Sequence, residues 1–236
     1  MRDLADIAAS QWGLVTTAQA RITGATPQDM ARYANQGRLE RVSHGVYRIA
    51  GTPQSPLDDL RAAWLTLDPA RTADQRLFDR PPAVVSHRSA ARIHDLGNLD
   101  SDISEFTTLV RKQTRRPDVR IHQARIGPGE WTIIDGLPLT TITRTITDLA
   151  SQHIDGGHLA GVVRDALIKH QTDPAALASA LAQYARYYGA PCRDGEKLLA
   201  QFLRETGMPA PLAATIRLAT ANEAPPRTTH RSEATA

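Results

Sequence analysis

The sequence has one cysteine, Cys192, so it can form no intramolecular disulfide and no cysteine-rich zinc site. Only Lys112, Lys169 and Lys197 among its 28 basic side chains are lysines. No run approaches the roughly 18 consecutive apolar residues of a membrane-spanning helix. The opening decapeptide MRDLADIAAS carries Asp3 and Asp6 and no apolar core. It therefore reads as neither signal peptide nor anchor, and a reducing cytoplasm is the expected location. The eight histidines include no HExxH pair, and no P-loop, GxGxxG or GxSxG is present. The expectation is a chain without enzymatic activity, metal or cofactor. A restriction-type nuclease would need an acidic residue on one strand and Glu-x-Lys on the next to hold magnesium. Asp118 follows Pro117, but no Glu-x-Lys comes after it, and Glu196-Lys197 are adjacent on an expected helix.

What remains is a soluble-type composition of 236 residues, 41% hydrophobic and 22% charged, with a pI near 9.3. That allows one large core or two small ones and suits a nucleic-acid partner without requiring it. Arginine suits phosphate and guanine through its planar fork, although a GC-rich coding bias produces the same excess.

The informative stretch is WGLVTTAQARITGATPQDMARYANQGRLERVSHGVYRIA, residues 12–50. Leu4, Ile7, Ala8 and Trp12 recur at helical spacing and predict the inner face of a first helix. Thr16-x-x-Gln19 is a capping-box pattern opening a second helix with Ala18, Ala20 and Ile22, and Gly24 supplies the turn after it. Thr26 as N-cap, Pro27 at the first helical position and Asp29 near the positive end predict a third helix to about Gln36, stopped by Gly37. Met30, Ala31 and Ala34 form its expected inner face, with Leu39 just beyond. Leu39–Val42 and Val46–Ile49 alternate around His44-Gly45, which predicts a hairpin. Helix, turn, helix, hairpin is the order of a winged helix-turn-helix, whose second helix of the pair enters the DNA major groove. A protein-docking or purely structural role uses the same order. The DNA-contact candidates are Thr16, Thr26, Gln28, Arg32, Tyr33, Gln36, Arg38, Arg41, His44 and Arg48. Gln28, Arg32, Tyr33 and Gln36 would face the groove, while Arg38, Arg41, His44 and Arg48 would meet phosphates or the minor groove. A module this small predicts paired half-sites, through a homodimer on DNA or adjacent binding.

Three segments carry a family resemblance. The run WGLVTTAQA…GAT…GRLERVSHGVYR resembles the N-terminal domain of AbiEi-type antitoxins of bacterial type IV toxin–antitoxin systems. VVSHRSAARIHDLG, residues 84–97, and DGLPLTTITRTITDLA, residues 135–150, are similar to later stretches of those proteins. The resemblance spans about residues 10–205. It implies a non-enzymatic protein that represses its own operon through double-stranded operator DNA and counteracts a nucleotidyltransferase-like toxin encoded alongside. A regulator with no toxin partner is the alternative, and a nuclease related to restriction-type endonucleases a more distant one.

The rest of the chain predicts an α+β fold. Gly51–Pro56 reads as a linker and Leu57–Leu67 as a helix with Leu57, Leu60, Trp64 and Leu67 inward. Residues 68–82 read as a loop and Ala83–Val85 as a strand. Ser86 is the expected cap of a helix burying Ala90, Ile93 and Leu96. Strands follow at 105–110, 119–125, and 131–134 with 139–141, with turns at Gly127-Pro128-Gly129 and Asp135-Gly136. Arg144 and Asp148 stand four apart on a helix and can pair. Helices begin near Asp155, Asp173 and Asp194. Arg111, Lys112, Arg115, Arg116, Arg120 and Arg125 oppose only Asp118. A solvated hairpin edge is the plainer expectation for them, a contact with nucleic acid or an acidic partner the other. The expected domains are a winged helix-turn-helix at 1–50, an antitoxin-like α+β domain at 57–207 and a disordered tail at 208–236.

Overall fold

A computed structural model describes residues 1–79 and 82–208; of the tail expected at 208–236, Met208 is buried and the remainder lies outside the described residues. The chain divides into two compact units, Met1–His94 with Leu99–Asp148, and Asp95–Asn98 with the chain from Leu149. The fold class is α+β, as the sequence implied.

The first unit opens with α1 (Arg2–Ala9), β1 (Leu14–Thr16), α2 (Thr17–Ala20) with a following 3-10 turn, α3 (Pro27–Asn35), β2 (Leu39–Ser43) and β3 (Val46–Ile49). The strands form an antiparallel sheet in the order β1-β3-β2. β1 was not foreseen. Three residues are too few to show a period, and only pairing with β3 reveals the strand. Alternation along β1 and β3 sends Val15 and Tyr47 toward a core with Leu4, Ala8, Ala20, Met30 and Leu39. It sends Leu14 and Val46 to the opposite face, into a second core with Ala62, Trp64 and Leu65. The small sheet is therefore covered on both sides.

The cover on that far side is α4 (Asp58–Thr66), which buries five consecutive residues, Arg61 to Leu65. Trp12, expected on α1, instead follows the end of that helix with φ +61°. It packs on the second core, edge-on to Trp64, and its indole N–H donates to the Asp135 carbonyl at 2.7 Å. The expected loop at 68–82 contains α5 (Ala73–Leu77), opened by a Thr72–Gln75 capping box that the polar composition concealed.

The larger sheet comprises β4 (Val84–Val85), β5 (Ser104–Thr108), β6 (Val119–Gln123), β7 (Trp131–Ile134) and β8 (Leu137–Thr140), ordered β6-β5-β4-β8-β7. The two-residue β4 is its centre, antiparallel to β5 and parallel to β8. Asp135 and Gly136, at φ +49° and +77°, make the two-residue turn of the β7–β8 hairpin. Gly136 is required twice, because a Cβ there would also stand 2.9 Å from the Trp12 indole nitrogen. α6 (His87–Ile93) follows β4, and α7 (Ile142–Ser151) follows β8. Ser86 precedes α6 but does not cap it; its hydroxyl bonds Thr107 and His87. The α6 amide of Arg88 is taken by the Glu105 carboxylate on β5 at 2.9 Å. Arg144 does pair with Asp148, at 2.7 Å, and with Glu130 at 2.9 Å.

The second unit contains α8 (Gly156–Lys169), α9 (Pro174–Leu181) and α10 (Gly195–Glu205), close to the expected starts. Leu159, Val162, Val163, Leu177, Leu181, Leu198, Leu199 and Phe202 are buried in it. Asp165 on α8 accepts the Gly97 amide at 2.9 Å and pairs with Lys169 at 3.2 Å.

Candidate nucleic-acid interface

Local chemistry fixes α2 and α3 before any tertiary contact does. Thr16 and Gln19 close one capping box, and Thr26 and Asp29 close another, with Pro27 in the first turn of α3. The α3 box uses the Asp29 carboxylate, which accepts the Thr26 amide at 3.0 Å. Hydrogen bonds from the Thr26 amide and hydroxyl hold the Asp29 carboxyl below its ordinary value. Gly24, at φ +79°, ends the 3-10 turn before α3, and Gly37, at φ +70°, follows the C-cap of α3; a side chain on either backbone would be strained.

Met30 anchors α3 in the core, while Gln28, Ala31, Arg32, Asn35 and Gln36 are exposed and Tyr33 is half-buried. Ala31 was expected inside; the inner stripe is narrower, carried by Met30 with Tyr33 and Ala34 at its edges. Ile22 is likewise exposed, at 71%, rather than packed. Arg32 is tied back to Asp29 at 2.7 Å and lies 5.4 Å from the Tyr33 ring. Arg38 is exposed just past α3. On the hairpin, Arg41 donates to His44 Nδ1 at 3.2 Å, and both side chains face solvent. Thr26 is exposed, with its hydroxyl engaged on Asp29.

Two candidates point inward. The Thr16 side chain is 1% exposed and donates to the Pro69 carbonyl while capping α2. Arg48 is 7% exposed. It shares the face of β3 with Val46, against α4, and pairs with Asp58 at 2.8 Å and with Glu40. The Glu40 hydrogen bond, followed by the Asp58 interactions, raises its pKa despite burial. Alternation placed Arg48 correctly on a face; the sequence did not say that α4 would cover that face.

The polar framework behind the module was not anticipated. Gln11 and Gln19, both fully buried, bond each other, and Gln19 Nε2 donates to the Arg71 carbonyl at 2.9 Å. Gln11 Oε1 accepts the Ala73 amide at 3.2 Å. Its only sequence signal was Gln19 in the capping box.

A second polar cluster lies inside the larger sheet. Glu105 on β5 meets His122 Nε2 at 3.2 Å and Arg120 at 3.5 Å, both from β6. Burial raises the Glu105 pKa, but the His122 and Arg88 hydrogen bonds outweigh it and the net shift is downward. His87, at φ +54°, stacks on His122 with ring centroids 3.7 Å apart. Burial pushes the His87 pKa down to about 3, so the ring is neutral. Among the described residues no group of three or more His, Cys, Asp or Glu side chains is placed to hold a metal ion. No described helix is long and apolar enough to cross a membrane.

The capped pair α2 and α3 and the hairpin together define a winged helix-turn-helix, and among the described residues the outer face of α3 is exposed. Residues 2–50 match the model of a family described as "Transcriptional regulator, AbiEi antitoxin". The match coincides with this module and bears out the resemblance there; the family it names is one of regulators and antitoxins rather than enzymes. No curated protein matches the chain.

Proposed function

We propose that the chain is a non-enzymatic, cytoplasmic DNA-binding antitoxin that represses its own operon and counteracts a nucleotidyltransferase-like toxin encoded beside it. Residues 1–50 are the DNA-binding domain and residues 57–207 the antitoxin-like domain in this reading. The observation that carries it is the free outer face of α3, with Gln28, Arg32 and Gln36 exposed within the stretch that matches the antitoxin-regulator family. Gln28 and Gln36 suit adenine edges and Arg32 suits guanine once released from Asp29. Arg38, just past the helix, and Arg41 and His44, on the hairpin, are exposed and suit phosphates, and a homodimer would present two such helices to paired half-sites. Thr16 and Arg48 support the module from inside and touch no DNA.

The test is a gel shift on duplex DNA from immediately upstream of the gene, with unrelated duplex as competitor. Gln28→Ala/Gln36→Ala abolishes the preference for upstream DNA while leaving the fold intact, since both side chains are exposed. Arg41→Ala weakens binding to both duplexes and lowers the salt slope by about 1. Equal binding by wild type and the glutamine variant would sink the assignment of α3 as the reading helix.

A further inference from the structure

Residues 111–125 are more densely cationic than the helix-turn-helix. Residues 1–50 carry six arginines against four carboxylates, whereas residues 111–125 carry six basic side chains against Asp118 alone. Within the module, Asp29 occupies Arg32, and Glu40 and Asp58 occupy Arg48. The reading helix is thus poor in free charge for the phosphate backbone, which supplies most sequence-independent affinity.

Residues 111–118 precede β6, the edge strand of the larger sheet, and form no helix or strand. Arg111, Lys112, Arg115, Arg120 and Arg125 are exposed. Arg116 is held by Asp118, and Arg120 lies 3.5 Å from Glu105. Arg111, Arg115 and Arg125 form no ion pair among the described residues. Edge protection accounts for Arg120, which is on the strand, but not for Arg111 and Arg115, which are off it. Lys112 Nζ donates to the Leu67 carbonyl at 3.1 Å. Two and four residues further on, the Pro69 and Arg71 carbonyls accept from Thr16 and Gln19, the cap and third residue of α2. One short stretch, Leu67–Arg71, therefore ties the basic segment to the first helix of the pair. In a docked helix-turn-helix that first helix crosses the DNA backbone.

We propose that Arg111 and Arg115 form a second phosphate-contact site that extends the DNA footprint beyond the helix-turn-helix. The proposal rests on the DNA-binding reading above and adds a partner to a surface which that reading leaves empty. Duplex DNA is favoured over an acidic protein because the segment that carries these arginines is tied through Lys112 and Leu67–Arg71 to α2, the helix expected to cross the DNA backbone.

The experiment is a salt titration of binding to the upstream duplex, comparing wild type with Arg111→Ala/Arg115→Ala. Each lost phosphate contact lowers the slope of log K against log salt by about 0.9, so the double variant should lose about 1.8. Between about 50 and 200 mM salt, wild type then weakens about 12-fold more than the variant. Unchanged thermal melting of the variant confirms that the fold is intact, as expected for two exposed side chains. A slope change below about 0.9, less than one phosphate, overturns the proposal and leaves the patch to an acidic protein. The Gln28→Ala/Gln36→Ala variant separates the two failures. If it loses selectivity while the arginine variant keeps the wild-type slope, only the second site falls. If wild type binds no duplex, both fall.

Discussion

The two sheets of the first unit bury polar groups in opposite ways. The small sheet rests on neutral amides and a hydroxyl, Gln11, Gln19 and Thr16, which satisfy one another and the backbone of residues 69–73. The larger sheet encloses ionisable groups, Glu105, His87 and Asp148, with arginines and a second histidine around them. A neutral network holds its strength across pH and needs no counter-charge. An ionised one depends on keeping every charge in its chosen state. Arg48 is the exception on the small sheet, and it sits where α4 converts an open face into an interior.

The sharpest break of that contrast is Arg48→Ala, which leaves Asp58, itself 7% exposed, without its closest cation. A loss of about 3–5 kcal/mol in urea unfolding is expected, as for one partner removed from a buried pair. A loss under about 1 kcal/mol would mean that Arg48 behaves as a surface wing residue after all. Gln19→Ala comes next. It removes one partner of the Gln11 amide, strands the Thr16 amide and the Arg71 carbonyl, and should cost about 2–3 kcal/mol at pH 7 and pH 5 alike. A cost that differs between the two pH values would show that the neutral network is coupled to titrating groups.

The third is the smallest and the only one that depends on pH. His87 is held neutral when folded, with a pKa of about 3 against an ordinary 6.5. Below 6.5 the unfolded chain takes up the proton and the folded chain does not. Stability therefore falls as pH drops, by about 2 kcal/mol between pH 7 and pH 5. His87→Asn, chosen because asparagine tolerates positive φ, should remove that share of the acid loss even if it lowers stability at pH 7. Parallel pH profiles for variant and wild type would show that the ring is protonated inside the fold.

Much of the module was legible because its signals are local. Thr16, Gln19, Thr26, Pro27, Gly24, Gly37 and the His44-Gly45 turn each act within a few residues of themselves, and each does what its chemistry implied. The helices after Leu149 were legible from periodicity alone. Trp12, β1, α5 and the central place of the two-residue β4 were not, since each is defined by a partner far along the chain. Of the proposed contact residues, the exposed set around α3 followed from helical spacing, whereas Thr16 and Arg48 required knowing what packs behind the hairpin.

Sequence alone determined where α2 and α3 start, that α3 stops before Gly37, and that Gln28, Arg32 and Gln36 lie on its outer side, because caps, glycines and the 3.6-residue period are short-range forces. Only the tertiary structure decided which face of the hairpin remains open, why Gln11 and Gln19 are there, and that the basic segment at 111–116 is tied through Leu67–Arg71 to α2. Those outcomes depend on hydrogen bonds and cores joining residues some fifty positions apart, and no local pattern encodes which distant surface will arrive to cover or adjoin a given side chain.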